Sequence, residues 1–203
     1  MTGSGPDALA AAAARRLELV VIGASAGGFA ALARVLTGLP ARYPLPIVVV
    51  LHLPQDHESR LAELFDARLG LRAREARDKE FVEPGVVFFA PSGYHLSIEP
   101  DLSFSLSCED RVCHARPSID VLFQSAADAC GPRLAAILLT GANYDGAAGM
   151  AGMRLAGGLA VVQDPASAEV PTMPLAAIRS MSPDLILSLA EIHSLLLRLG
   201  ERP

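Results

Sequence analysis

Tryptophan is absent from this 203-residue chain, and aromatic residues make up only 5% of it. An interior without many rings must be built from Ala, Val, Ile and Leu, which suits helices packed on a buried parallel sheet. The hydrophobic share of 51% is enough for one substantial core in a chain of single-domain length. Positive charge is also scarce: 17 Lys and Arg stand against 22 Asp and Glu, for a formal net charge of −5. With no basic block to offset that balance, a nucleic-acid backbone is excluded as the main partner. Three cysteines without close pairing do not make a disulfide framework, and reduced thiols in a cytoplasmic protein are the expectation. Cys108, Cys113 and His114 invite a zinc reading, but no second ligand pair accompanies them, so no metal is expected. No apolar run reaches the roughly 18 residues of a membrane span. Residues 1–14 lack the basic start of a secretory signal and read as a flexible or helical lead-in, taken to extend over 1–16.

What is present centres on residues 17–28, L-E-L-V-V-I-G-A-S-A-G-G. The aliphatic run Val20-Val21-Ile22 stops at a glycine, and after Gly27-Gly28 the apolar residues Phe29, Leu32, Val35 and Leu36 recur at helical spacing. The pattern predicts strand, tight turn and helix, with Ser25 on the turn in a G-x-S-x-G elbow. Nucleotide-loop alternatives fit poorly. A dinucleotide fingerprint needs its second glycine where Ser25 stands and an acidic residue about 20 positions on, yet no Asp or Glu occurs between Glu18 and Asp56. No Gly-Lys-Ser or Gly-Lys-Thr of a Walker loop is present either.

Further along, residues 47–51 form a continuous apolar strand ending at His52, with Pro54 favouring an extended predecessor. Residues 58–69 look helical, with Leu61, Leu64, Phe65 and Leu69 on one face. Short strands over 86–90, 94–99 and 102–107, set off by Pro84-Gly85, Pro91-Ser92-Gly93 and Pro100-Asp101, suggest a hairpin excursion within the same domain. A helix over 117–130, starting at Ser118 or nearby Arg116, precedes a strand over 134–140 and a small-residue helix that runs from about Gly146 to about Ala156. Strands over 159–162 and 185–187 and a helix over 190–199 complete the chain. Strands alternating with helices predict an α/β domain over 17–203 with a mostly parallel, doubly wound sheet.

Such sheets carry their working groups outside the carboxyl ends of the strands. Ser25, His52 and Asp145 all follow predicted strands, so they fall on one edge. A serine hydroxyl needs a base within hydrogen-bond reach, an imidazole can fill that role near neutrality, and a carboxylate can fix its tautomer. Backbone N–H groups around Ala26 and Gly27, at a helix start, are candidates for an oxyanion site. Each residue also has a plain reading: Asp145-Gly146 as a turn, His52 as a core histidine. His57 and His95 are rival bases, placed less well with respect to strand ends.

Several segments occur in one order: G-A-S-A-G-G at 23–28, L-H-L-P at 51–54, P-G-V-V-F-F-A-P at 84–91, R-P-S-I-D-V-L-F at 116–123, L-T-G-A-N-Y-D-G at 139–146 and Q-D-P-A-S-A at 163–168. In these the chain resembles the catalytic domain of the chemotaxis receptor methylesterases of CheB type, over about residues 17–199. The resemblance implies a parallel α/β domain that hydrolyses glutamate methyl esters on chemoreceptors, in some members also deamidating glutamines, without metal or organic cofactor. It places nucleophile, base and orienting acid on Ser25, His52 and Asp145. The family loop usually reads T-G-M-G-x-D-G, whereas Ala142 and Asn143 stand here for the methionine and the second glycine. The resemblance assigns an oxyanion donor to the backbone of the methionine, hence to Ala142. Thr172 and Leu175 replace the ends of a usual G-M-P-R. Typical members carry an N-terminal receiver domain, but only about 16 residues precede the first strand, against the roughly 50 a domain needs. The expectation is a constitutively accessible enzyme or one governed by a separate partner, with a methylated receptor as substrate. The competing expectations are a binding module of altered loop sequence and an esterase for another acyl substrate.

Overall fold

The computed structural model describes residues 6–52 and 60–201. Leu53 and Pro54, the rival base His57 and the expected helix start at residue 58 lie outside the described residues.

The aliphatic runs form a sheet of seven parallel strands: β1 (Leu19–Ala24), β2 (Ile47–Leu51), β3 (Arg72–Glu75), β4 (Val86–Phe89), β7 (Leu134–Leu138), β8 (Leu159–Gln163) and β9 (Leu185–Leu187), in the order β3-β4-β2-β1-β7-β8-β9. The remaining strands, β5 (His95–Ile98) and β6 (Phe104–Ser107), pair antiparallel as a separate hairpin. Chain direction accounts for the order. From β1 the chain moves outward through β2 on one side, then returns to add β7, β8 and β9 on the other. The crevice beside β1 is thus where connections depart in opposite senses, the usual seat of a site in an open α/β sheet.

Every residue of β1, β2, β4, β7 and β8 is buried, as strands covered on both faces must be. Alternation then divides the core in two. Val20 and Ile22 face one layer with helices α2 (Gly28–Leu36) and α7 (Leu189–Gly200), while Leu19 and Val21 face another with α4 (Ile119–Cys130) and α5 (Ala147–Leu155). Helix α2 buries Ala31, Leu32, Val35 and Leu36, and α7 buries Ile192, Leu195, Leu196 and Leu199, each one stripe of an amphipathic cylinder. Within the lead-in, residues Pro6–Ala13 form helix α1, and Ala12 joins the core.

Four features depart from the sequence reading. Residues 86–89 belong to the middle of the main sheet and not to the hairpin: β4 lies between β2 and β3, parallel to both. Strand β3 itself, Arg-Ala-Arg-Glu, was not anticipated, because a charged edge strand carries no apolar run. Helix α6 (Thr172–Ser180) was also missed. Its Pro174 stands in the first turn, where a missing N–H costs little. Helix α3 is shorter than expected, at Leu61–Asp66.

Candidate active site

Ser25 directly follows β1 and His52 directly follows β2, and the pairing continues past both strand ends. After Ala24 pairs with Leu51, the His52 N–H donates to the Ala24 carbonyl at 3.0 Å and the Ser25 N–H donates to the Thr140 carbonyl at 3.0 Å. Ser25 and His52 are therefore lateral neighbours on strands spaced by about 4.8 Å. The chain turns sharply at Gly27, whose φ of 74° is left-handed and favours glycine, and α2 begins with the next residue. Ser25 is left half-buried at the top of the sheet. Gly141 explains how the β7 loop comes so close: a Cβ there would lie 3.0 Å from the Ser25 Cβ and 2.5 Å from the Met173 Cε.

Asp145, on the loop between β7 and α5, is fully buried, while His52 keeps 13% of its side chain exposed. His52 Nε2 donates to Asp145 Oδ2 at 2.9 Å. A carboxylate only accepts, so in the neutral ring Nε2 carries the proton and the lone pair is on Nδ1. Three more donors converge on the carboxylate: the Ser118 hydroxyl at 2.8 Å and the Asp120 N–H at 3.0 Å on Oδ1, and the Ile119 N–H at 2.7 Å on Oδ2. These belong to the first turn of α4 and its N-cap, Ser118, so the helix places its free amide donors on an anion. Burial pushes the Asp145 carboxyl up, but hydrogen bonds from His52, Asp120, Ile119 and Ser118 together outweigh it and hold it below the usual carboxylate range.

Around this pair the other sequence candidates resolve into structural roles. His95 is buried, with Nδ1 accepting the Ser118 N–H at 3.2 Å and Nε2 donating to the Asp110 carbonyl at 3.0 Å. Both ring nitrogens are engaged, so the rival base supports the start of α4. Asn143 Oδ1 accepts the Asp145 N–H at 3.2 Å, closing the loop on itself. The N–H groups of Ala26, Gly27 and Ala142 have no backbone acceptor among the described residues.

Of the residues considered for zinc, Cys108 and His114 are exposed and take no part in a ligand cluster among the described residues. Cys113 instead lies with Asp120 and Asp145 in a group whose donor atoms are within 4.8 Å of one another. Its thiol donates to Asp120 Oδ2 at 3.7 Å, and burial with the nearby carboxylates pushes it up to about 11. Both Asp145 oxygens are already taken, and Asp120 Oδ1 accepts the Gly149 N–H at 2.7 Å. Burial raises the Asp120 carboxyl.

Sequence reading named Ser25, His52 and Asp145 as candidates but not the groups that hold Asp145. Ser118 was visible as a helix start and, with Asp120, as part of the 116–123 segment. Thr140 was visible as a strand end and within the 139–146 segment, and Gln163 only as the first residue of the 163–168 segment. The signal available for Ser118 was its N-cap position behind Pro117, but no local pattern reveals which carboxylate a helix start will face.

Comparison with known proteins places this arrangement. The family model described as CheB methylesterase matches residues 20–196. A Leptospira interrogans relative is 43% identical over 184 residues, 91% of this chain and 95% of its own length. A Bordetella parapertussis protein named protein-glutamate methylesterase/protein-glutamine glutaminase is 40% identical over 190 residues; the match covers 91% of this chain and 54% of that protein. The crystal structure of the Thermotoga maritima CheB methylesterase catalytic domain superposes with a TM-score of 0.86 at 33% identity, covering 90% of this chain and 98% of that one. The chain belongs to the CheB methylesterase family.

Proposed function

We propose that this chain is a protein-glutamate methylesterase in which Ser25 is the nucleophile, His52 the base and Asp145 the orienting acid, acting on methylated glutamates of a chemoreceptor-type protein. The observation that carries the reading is the 2.9 Å hydrogen bond between His52 and the buried Asp145, with Ser25 beside His52 one position past the paired Ala24 and Leu51. Because Asp145 occupies Nε2, the base nitrogen is Nδ1. Ser25 Oγ attacks the ester carbonyl carbon and passes its proton to Nδ1. The oxyanion forms near the N–H groups of Ala26, Gly27 and Ala142. Collapse breaks the bond to the methoxy oxygen, which leaves as methanol with the proton from Nδ1. Water then adds to the glutamyl-enzyme, giving a proton to Nδ1, and the second collapse returns that proton to Ser25 and frees the glutamate. With a glutamine side chain the same steps expel ammonia, which accounts for the paired activity in the relatives' name.

Ala142 supplies a backbone donor as a methionine there would, since the N–H does not depend on the side chain. Asn143 keeps the following turn through its bond to the Asp145 N–H. These bonds support an active loop over the binding-module reading. Purified chain incubated with methyl-labelled receptor is expected to release methanol, and Ser25→Ala to release it at a rate lower by about 10⁴-fold or more with folding intact. Methanol release by Ser25→Ala at the wild-type rate would remove Ser25 from the mechanism.

A further inference from the structure

Thr140 and Gln163 are both buried polar residues at strand ends. Thr140 meets Ser25 through its backbone carbonyl, and among the described residues neither side chain is hydrogen-bonded to Ser25, His52 or Asp145. We propose that they form a clamp that aims the oxyanion donors, Thr140 acting as a positioning residue and Gln163 as its support. The inference rests on the esterase reading above and deepens it.

Every polar group of Thr140 is committed. Its N–H donates to Gln163 Oε1 at 2.8 Å, and its carbonyl accepts the Ser25 N–H at 3.0 Å. Its hydroxyl lies 2.9 Å from the Ala26 carbonyl and 3.2 Å from the Val170 carbonyl, donates to the nearer of the two, and accepts the Val170 N–H at 2.9 Å. Gln163 is anchored in turn, its Nε2 donating to the Ser167 carbonyl at 3.1 Å. The residue thus joins the loops that follow β1, β7 and β8.

The consequence lies in peptide planarity. In a trans peptide the carbonyl and the next N–H point in opposite directions, so fixing one fixes the other. Holding the Ala26 carbonyl on the Thr140 hydroxyl sets the direction of the Gly27 N–H. The Gly141 N–H donates to the Val170 carbonyl at 3.0 Å, and the Gly141 carbonyl accepts the Met173 N–H at 3.0 Å. The second of these bonds sets the direction of the Ala142 N–H. The same Val170 segment is held to the hydroxyl of Thr140, so one side chain is tied to both loops that carry the candidate donors. Donors aimed before the reaction act on the transition state and not on substrate binding.

The test compares wild type, Thr140→Val, Thr140→Ser and Gln163→Met on methyl-labelled receptor, with kcat, KM and the thermal midpoint measured for each. Valine keeps the shape of threonine and removes the hydroxyl. T140V is expected to lower kcat by about 10- to 100-fold, as small misplacements of catalytic groups do, with KM unchanged. T140S is expected to restore most of that loss. Q163M, which takes the acceptor from the Thr140 N–H, is expected to lower kcat in the same direction, and it stands in for T140V if that variant does not fold. Wild-type kcat in the folded variant, a loss confined to KM, or T140S falling as far as T140V would each overturn the clamp. An inactive wild type would overturn the esterase reading itself, so the two failures are distinguishable.

Discussion

At the scale of single residues, the site depends on how Asp145 is kept charged in the interior. An isolated carboxylate there would be costly, yet four donors surround it, and three of them come from one helix start and its cap. Asp145→Asn keeps the shape but offers His52 an amide in place of an acceptor-only group. The favoured ring tautomer is then lost, and kcat is expected to fall by about 10⁴-fold, as when the carboxylate of a serine-protease triad is replaced by its amide. Steady-state methanol release checks this, and a fall of less than about tenfold would mean that Asp145 does not orient the base. Ser25, His52 and Asp145 were legible in the sequence as candidates because each sits where an apolar run ends or its loop closes. Thr140 and Gln163 were not legible, since their importance lies in partners 23 to 114 residues away.

At the scale of elements, two serine N-caps separate stability from function. Ser118 caps α4 by accepting the Val121 N–H and also donates to Asp145. Ser188 caps α7 in a capping box with Glu191, with no link to the site. Replacing either with Ala is expected to cost about 1 kcal/mol of stability. Only Ser118→Ala is expected to lower kcat as well, because it takes a donor from the buried carboxylate. Thermal unfolding and methanol release on both variants check the pair, and equal kcat values would contradict the role given to α4. The elements themselves were unevenly visible. The runs at 47–51 and 134–138 are apolar throughout because both faces of the strands are covered. Arg72–Glu75 is held instead by backbone pairing with β4 at the sheet edge, and ion pairs of Arg72 and Arg74 with Glu83 replace the apolar signal. Residues 86–89 read as apolar strand in either setting, and only tertiary pairing moves them from hairpin to sheet.

At the scale of the molecule, the sheet order brings groups distant in sequence to one rim, with β1 central and the β2 and β7 connections leaving on opposite sides. Among the described residues no helix is long and apolar enough to cross a membrane. The buried carboxylate also leaves a trace in global stability. In the unfolded chain the Asp145 carboxyl titrates near the ordinary 3.8, whereas in the fold it is held lower. The unfolded state therefore takes up the proton first as the solution is acidified. The stability this residue contributes is fully present above the ordinary value and is lost as pH falls through the lowered one. Asp120 is shifted upward and acts in the opposite sense, so the informative quantity is a difference between proteins. The gap in thermal midpoint between wild type and Asp145→Asn is expected to narrow as pH falls through 3.8 and on through the lowered folded-state value. A gap independent of pH would contradict the charged state assigned to Asp145.

The central claim is that the Asp145–His52 pair activates Ser25, and the most direct measurement is the site and rate of labelling by a serine-directed phosphonate. Peptide mapping of the labelled wild type is expected to place the adduct on Ser25, with His52→Ala slowing the reaction by orders of magnitude. Labelling at another residue, or equal rates in the two proteins, would contradict the account.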